Sequence, residues 1–259
     1  MNSVVTKATF VSRPSAKTQE RLTQKIGNVS RVGADFGVKQ NKNTPAHFAF
    51  RTRARHAAVK ASLEELGELE EVPASAVSSR ARTGFSASCE AAINDQINTE
   101  YNISYVYHSL YAYFSRDNVA LPGLAAYYKA ASIEEREHAE MLMDYQNTRG
   151  GQVDLKSLMM PEMDIFSESK GDALSAMEVT LSLEKMNYKK LLGLHQVADE
   201  NSDVQLCDFV ESALLDDQVT AIKEVSDKVT ELRRVGPGMG VWQWDQALAE
   251  EVAAAAGAA

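Results

Sequence analysis

From Cys89 to Leu232 the apolar residues return at alternating three- and four-residue steps, in four stretches separated by two short turns and one long gap. That period belongs to α-helices that bury one face. It commits the chain to packing helices against one another. The first stretch runs from Cys89 to about Phe114 and closes at Arg116-Asp117-Asn118. The second opens at Pro122, a residue suited to a first helical turn, and ends at Arg149-Gly150-Gly151, where a basic residue precedes glycines. The third runs from Asp172 to about Ala198, turns at Asn201-Ser202-Asp203, and leads into a fourth that reaches Arg234. Residues 152–171, with Pro161 among them, are too many for a hairpin and enough to travel the length of a bundle. Two short turns around one long crossover predict an all-α four-helix bundle. After Gly236-Pro237-Gly238 a short fifth helix is expected to about Val252, followed by a low-complexity, disordered tail at 253–259.

Each inward stripe carries polar groups near its middle. The first reads Ile93, Ile97, Glu100, Ser104, Tyr107, Tyr111, Phe114, and the second Tyr128, Ala131, Glu135, His138, Leu142, Tyr145. The third reads Met177, Leu181, Glu184, Tyr188, Leu191, His195, and the fourth Val210, Leu214, Gln218, Ala221, Val225, Leu232. An isolated buried carboxylate costs several kcal/mol, so it must be paired or bind a cation. Three glutamates, a histidine and a glutamine converge here, and no Lys or Arg stands on these central stripe positions. A divalent metal cluster answers that charge. Glu135-x-x-His138 sets two ligands one turn apart on one face. Oxygen-rich ligation with one imidazole suits iron better than a structural zinc. Any one of these residues alone reads as core or solvated surface. Their meeting at one level of four helices is what argues for a site.

Charge is divided along the chain. Residues 1–60 hold twelve Lys/Arg against two acids, Glu20 and Asp35, within a net charge of −9 for all 259 residues. A basic, Ser/Thr-containing, acid-poor leader has the composition of an organelle transit peptide, and it lacks the apolar core of a secretory signal. Removal is expected around Arg51–Ala61. Residues 61–86 form a separate segment, with Ser62-Leu63-Glu64-Glu65 opening a short helix that Pro73 ends. The remaining chain is acidic, which favours cations and argues against a nucleic-acid partner. No run of about 18 apolar residues is present, so no membrane-spanning helix is expected. Cys89 and Cys207 stand too far apart in sequence to read as a disulfide framework.

The blocks Asn94-Asp95-Gln96-Ile97-Asn98, Ser104-Tyr105-Val106-Tyr107, Glu134-Glu135-Arg136-Glu137-His138-Ala139-Glu140, Gln146-Asn147-Thr148-Arg149-Gly150-Gly151 and Leu183-Glu184-Lys185 resemble eukaryotic ferritin of the heavy-chain and plant type. Their order and spacing fit as well, across Asn94–Gln246. The resemblance implies a ferritin-like fold over 87–252, a plastid transit peptide over 1–60 and an extension peptide over 61–86, with mitochondrial targeting the lesser alternative. It implies Fe(II) oxidation by O2, with two irons per subunit and storage of the ferric product in a shell of twenty-four subunits. Glu100, Glu135 and His138 would hold the first iron. Glu135 and Glu184 would hold the second, with Gln218 and Tyr107 beside them. Glu134, Glu137, Glu140 and Asp217 would offer carboxylates toward the cavity. Asp208 and Glu211 match the acidic lining of three-fold channels, with His195 nearby.

The sequence also departs from the pattern. Met239 and Gln243 stand where plant ferritins carry fifth-helix histidines, and Ala130 and Ile133 replace polar cavity positions. No haem-ligating methionine of the bacterioferritin kind is evident, so no haem is expected. A diiron oxygenase or oxidoreductase of the same fold is the alternative, but it needs Glu-x-x-His on two helices. Here Glu184 is followed by Asn187, and the fourth helix has Gln218. A silent structural ferritin chain would lack the ligand set. A miniature DNA-protecting ferritin would keep its basic tail.

Overall fold

The first helix starts where the sequence supplies a cap. Ser86 adopts extended backbone and its Oγ accepts from the amide of Cys89 at 3.0 Å, which satisfies one of the open N–H groups of α1 (Ala87–Phe114). A tight turn, with Ala120 at φ +54°, leads into α2 (Pro122–Thr148). Beyond the crossover come α3 (Asp172–Glu200) and a continuous fourth rod. That rod is built from α4 (Val204–Val210), a π-helical turn (Glu211–Leu215) and α5 (Asp216–Val235). Asp203 caps it, accepting from the amide of Leu206 at 3.1 Å. Gly236 at φ +65° ends it, and α6 (Met239–Ala258) follows.

This computed structural model describes residues 75, 78–159, 161 and 170–258. The 1–60 leader and most of the 61–86 segment, including the helix expected from Ser62, lie outside the described residues. No strand occurs among the described residues, and none of their helices is long and apolar enough to cross a membrane. The last helix corrects one boundary. It runs through Ala258, past the end expected near Val252, so residues 253–258 are helical where a frayed tail was expected. Alanine is the strongest helix former, and the run Ala253–Ala256 continues the rod.

The core forms two apolar clusters. One gathers Leu110, Phe114, Leu124, Tyr128, Met177 and Leu232, with α6 contributing Leu248. The other gathers Cys89, Ile93, Ile97, Leu142, Leu191, Leu206 and Val210. α1 and the fourth rod pass from the second cluster to the first, whereas α2 and α3 pass from the first to the second. α2 and α3 are therefore parallel, and the chain between them must travel the whole bundle. Phe114, Leu124 and Leu142 are completely buried, each contributing roughly 1.5–3 kcal/mol by transfer from water. Two such clusters can carry a polar centre between them that costs several kcal/mol.

The crossover is pinned by a ladder of asparagines spaced four residues apart on α1. Asn94 donates to the carbonyl of Gln152 at 3.0 Å and accepts from the amide of Asp154 at 2.9 Å. Asn98 donates to the carbonyl of Ser157 at 3.3 Å, and Asn102 accepts from the amide of Met159 at 2.7 Å. At the far end, α2 has no side-chain cap of its own at Leu121. Asp245 of α6 supplies one, accepting from the amides of Gly123 and Leu124 at 3.0 and 2.8 Å. Position 123 must be glycine, because a Cβ there would stand 2.0 Å from the Asp245 carbonyl oxygen.

Candidate metal centre

The expected residues from four helices meet between the two apolar clusters. α1 brings Glu100 and Tyr107, α2 brings Glu135 and His138, α3 brings Glu184, and the fourth rod brings Gln218. Glu100 is fully buried, Glu135 and Glu184 are each 6% exposed, and Gln218 is 7% exposed. Ser104 and Ser132 hold α1 close to α2, each hydroxyl donating to the other's carbonyl, at 2.6 and 2.9 Å. One carboxylate oxygen from Glu100, one from Glu135 and one ring nitrogen of His138 lie within 4.8 Å of one another. His138 Nδ1 stands 3.5 Å from Glu135 Oε2.

Gln218 owes its place to the π-helical turn. Leu206, Val210, Leu214 and Gln218 are all buried, at three successive four-residue steps. At 100° per residue such a run drifts about 120° around an ideal helix. The extra residue of a π turn removes about 100° of that drift, so Gln218 still faces the core.

The second half of the centre is held by hydrogen bonds. Glu184 Oε1 accepts from the Tyr107 hydroxyl, and its Oε2 accepts from Gln218 Nε2. Two side chains that sequence reasoning missed complete the network, Gln96 and Asn187, at 3% and 1% exposure. Gln96 Nε2 donates to Glu100 Oε1 at 2.6 Å and to Asn187 Oδ1 at 2.7 Å. Asn187 Nδ2 donates to Glu100 Oε2 at 3.1 Å and to Gln218 Oε1 at 3.0 Å. Spacing could have found both: Gln96 lies four residues before Glu100 and Asn187 three after Glu184, each on the same helix face as its partner.

The three carboxyls are held in an environment that disfavours their charged forms. Burial is the main cause in each case. It pushes Glu100 well above the carboxylate range, with facing Glu135 adding to it. It pushes Glu135 to about 8, with Glu184 as the next contributor, and it raises Glu184. Tyr107 is raised well above the usual phenol range by burial and then by Glu184. No lysine or arginine among the described residues forms an ion pair with Glu100, Glu135 or Glu184. Carboxylates that burial alone would keep protonated, beside an imidazole and short of positive partners, fit divalent iron.

The remaining expected residues lie outside the hydrogen-bonded network of this centre, Glu134 next to it. Glu134, Glu137, Glu140, Asp217, Asp208 and Glu211 are all exposed on the single chain. Glu134 is crowded by protein, and after that by Glu184, Asp217 and Glu224, which together raise its carboxyl. Glu140 faces Arg136 at 3.9 Å. Glu211 takes a 2.6 Å hydrogen bond with His195 Nε2.

The fold has close counterparts. A family profile described as "Ferritin-like domain" matches residues 90–235. "Ferritin-3, chloroplastic" of Glycine max is 58% identical over 189 residues, covering 73% of this chain and 74% of that protein. "Ferritin-2, chloroplastic" of Vigna unguiculata is 50% identical over 239 residues, covering 92% of each. The crystal structure of ferritin from the multicellular green alga Ulva pertusa is 53% identical, with a TM-score of 0.69, covering 75% of this chain and 97% of that one. With chloroplastic relatives at this identity and a basic leader, the chain is a plastid protein. On its profile, its relatives and its bundle, this chain belongs to the ferritin family.

Proposed function

We propose that this chain oxidises Fe(II) with O2 at the centre formed by Glu100, Glu135, His138, Glu184 and Gln218, and stores the ferric product. Iron storage is the family's role, and family members assemble as multi-subunit shells. One observation carries the reading to this chain: three buried glutamates and a histidine converge from three helices with no basic side chain paired to them. Fe(II) is the substrate. Glu100, Glu135 and His138 would bind one ion, and Glu135 and Glu184 a second, two irons per subunit.

The side chains divide the work. Carboxylates favour the higher charge of Fe(III), so they promote loss of an electron from each substrate ion to O2. Glu100 and Glu135 shed their protons as the ions enter, since ligands must be deprotonated. Tyr107 orients Glu184 through its hydroxyl. Gln218 is neutral, so the second ion is held loosely and its ferric form can leave. Exposed Glu134 and Asp217 offer the next carboxylates on the way out, and Glu137 and Glu140 extend that acidic surface. Asp208 and Glu211, with His195 on Glu211, would draw cations toward a shell entrance by their field. The shell would hold twenty-four subunits, of this chain alone or of two chain types.

Rapid mixing of metal-free protein with Fe(II) in air tests the centre. Glu135→Ala and His138→Ala are expected to slow the initial rise of ferric absorbance at least tenfold while size-exclusion still shows an assembled shell. An unchanged initial rate in both variants rejects the assignment.

A further inference from the structure

Position 187 stands one turn after Glu184, where a second Glu-x-x-His motif would carry its histidine. The residue is asparagine, and it is almost fully buried. Its amide nitrogen reaches Glu100 Oε2 from α1 and Gln218 Oε1 from α5, at 3.1 and 3.0 Å. Its oxygen accepts from Gln96, which also donates to the other oxygen of Glu100. Both Glu100 oxygens are thus fixed by amides. The Gln218 oxygen is turned onto Asn187, which leaves the Gln218 nitrogen on Glu184. One amide therefore links the three-ligand half of the centre to the half with few ligands.

We infer that Asn187, braced by Gln96, is a positioning residue that ties Glu100 to Gln218 and sets how tightly the second cation is held. This rests on the proposed reading of the centre as the Fe(II) site. A neutral amide adds no charge, and both polar atoms of Asn187 are engaged by protein groups in three hydrogen bonds. It orients the ligands while denying the second ion the imidazole that would trap it. Groups that orient metal ligands in this way typically change affinity by about 10–100-fold when removed.

Co(II) is a redox-silent probe whose visible absorption reports coordination and stepwise affinity without turnover. Metal-free wild type, Asn187→Leu, Gln96→Met and Asn187→His shells would be titrated with Co(II), with thermal unfolding measured in parallel. Wild type is expected to bind two Co(II) per subunit. Asn187→Leu should weaken binding about 10–100-fold with an altered visible spectrum. Gln96→Met should shift it the same way, and it carries the test if the leucine variant does not assemble. Asn187→His should tighten the second Co(II) at least tenfold. If wild type binds two ions and both Asn187→Leu and Gln96→Met keep its affinities and spectrum, with only the unfolding temperature lowered, Asn187 is merely structural and the inference fails alone. If wild type binds no Co(II), the reading of the centre fails first.

Discussion

Loading the centre with a divalent cation should expel protons, by an amount that falls as pH rises. The perturbation is Zn(II), which cannot be oxidised, added to metal-free protein. Glu135 titrates at about 8 because it is buried and faces Glu184. A group with that pKa is about nine-tenths protonated at pH 7 and about one-quarter protonated at pH 8.5. Glu100 is raised as well, mainly by burial, and adds to the release. The expected release is between about one and two protons per subunit at pH 7, falling by about 0.7 at pH 8.5. Calorimetric titrations in two buffers of different ionisation enthalpy measure it directly, and Glu135→Gln should remove most of the pH-dependent part. The same shift has a stability consequence. A carboxyl whose folded pKa is raised favours the fold fully below its unfolded pKa and loses that contribution as pH climbs through the folded one. For Glu135 the window runs from 4.5 to about 8, worth on the order of 5 kcal/mol at 1.36 kcal/mol per unit. The metal-free chain should therefore melt at lower temperature as pH rises across that window, and Zn(II) should flatten the trend. Release that is negligible at pH 7, or that grows with pH, refutes the reasoning.

Two further predictions concern the frame around the centre. Asp245→Ala removes the acceptor of two buried amides at the start of α2, so a loss of about 2–4 kcal/mol is expected. Hydrogen exchange at Gly123 and Leu124 should speed up, and Gly123→Ala should cost at least as much, because its Cβ meets the α6 backbone; unchanged exchange in both variants argues against trans-capping. Asn94→Ala breaks two of the bonds that pin the crossover to α1, at about 1–2 kcal/mol. Limited proteolysis should then cut faster within 152–159, and an unchanged cutting rate would show that the asparagine ladder does not restrain that segment.

Much of this architecture could be read from the sequence because its causes are local. Helix boundaries followed from Pro122, Gly150 and Gly236, each acting within one turn of itself, whereas the Ser86 cap sets the first helix two residues before the Cys89 start that periodicity gives. The stripe residues Glu100, Glu135 and Glu184 proved buried, as the 3.6-residue period expects of them, and Gln218 joins them through the π turn. Gln96 and Asn187 share helix faces with Glu100 and Glu184, so their spacing was legible, but the bonds that give them a role cross to other helices and no periodicity reports those. The Asp245 cap joins positions more than a hundred residues apart, which no periodicity reports. The π turn left only a faint trace, three successive four-residue steps at Leu206, Val210, Leu214 and Gln218.

The division of the core explains how such a centre can be filled and emptied without unfolding the chain. In a small zinc domain, metal ligation supplies the folding energy, and removing the metal removes the fold. Here the Phe114–Leu124–Tyr128 cluster closes one end of the bundle and the Ile93–Leu142–Leu206 cluster closes the other. Between them the metal-free carboxyls are stabilised in protonated form, and Gln96, Asn187, Tyr107 and Gln218 occupy the oxygens of Glu100 and Glu184. An entering cation therefore exchanges with protons on groups already held in place, and a departing one leaves that network behind to re-form. Under the proposed function the centre passes iron onward, and for that it would need this property more than affinity. On the inference drawn above, the amides Asn187 and Gln218, where a histidine and a glutamate would grip harder, would provide it.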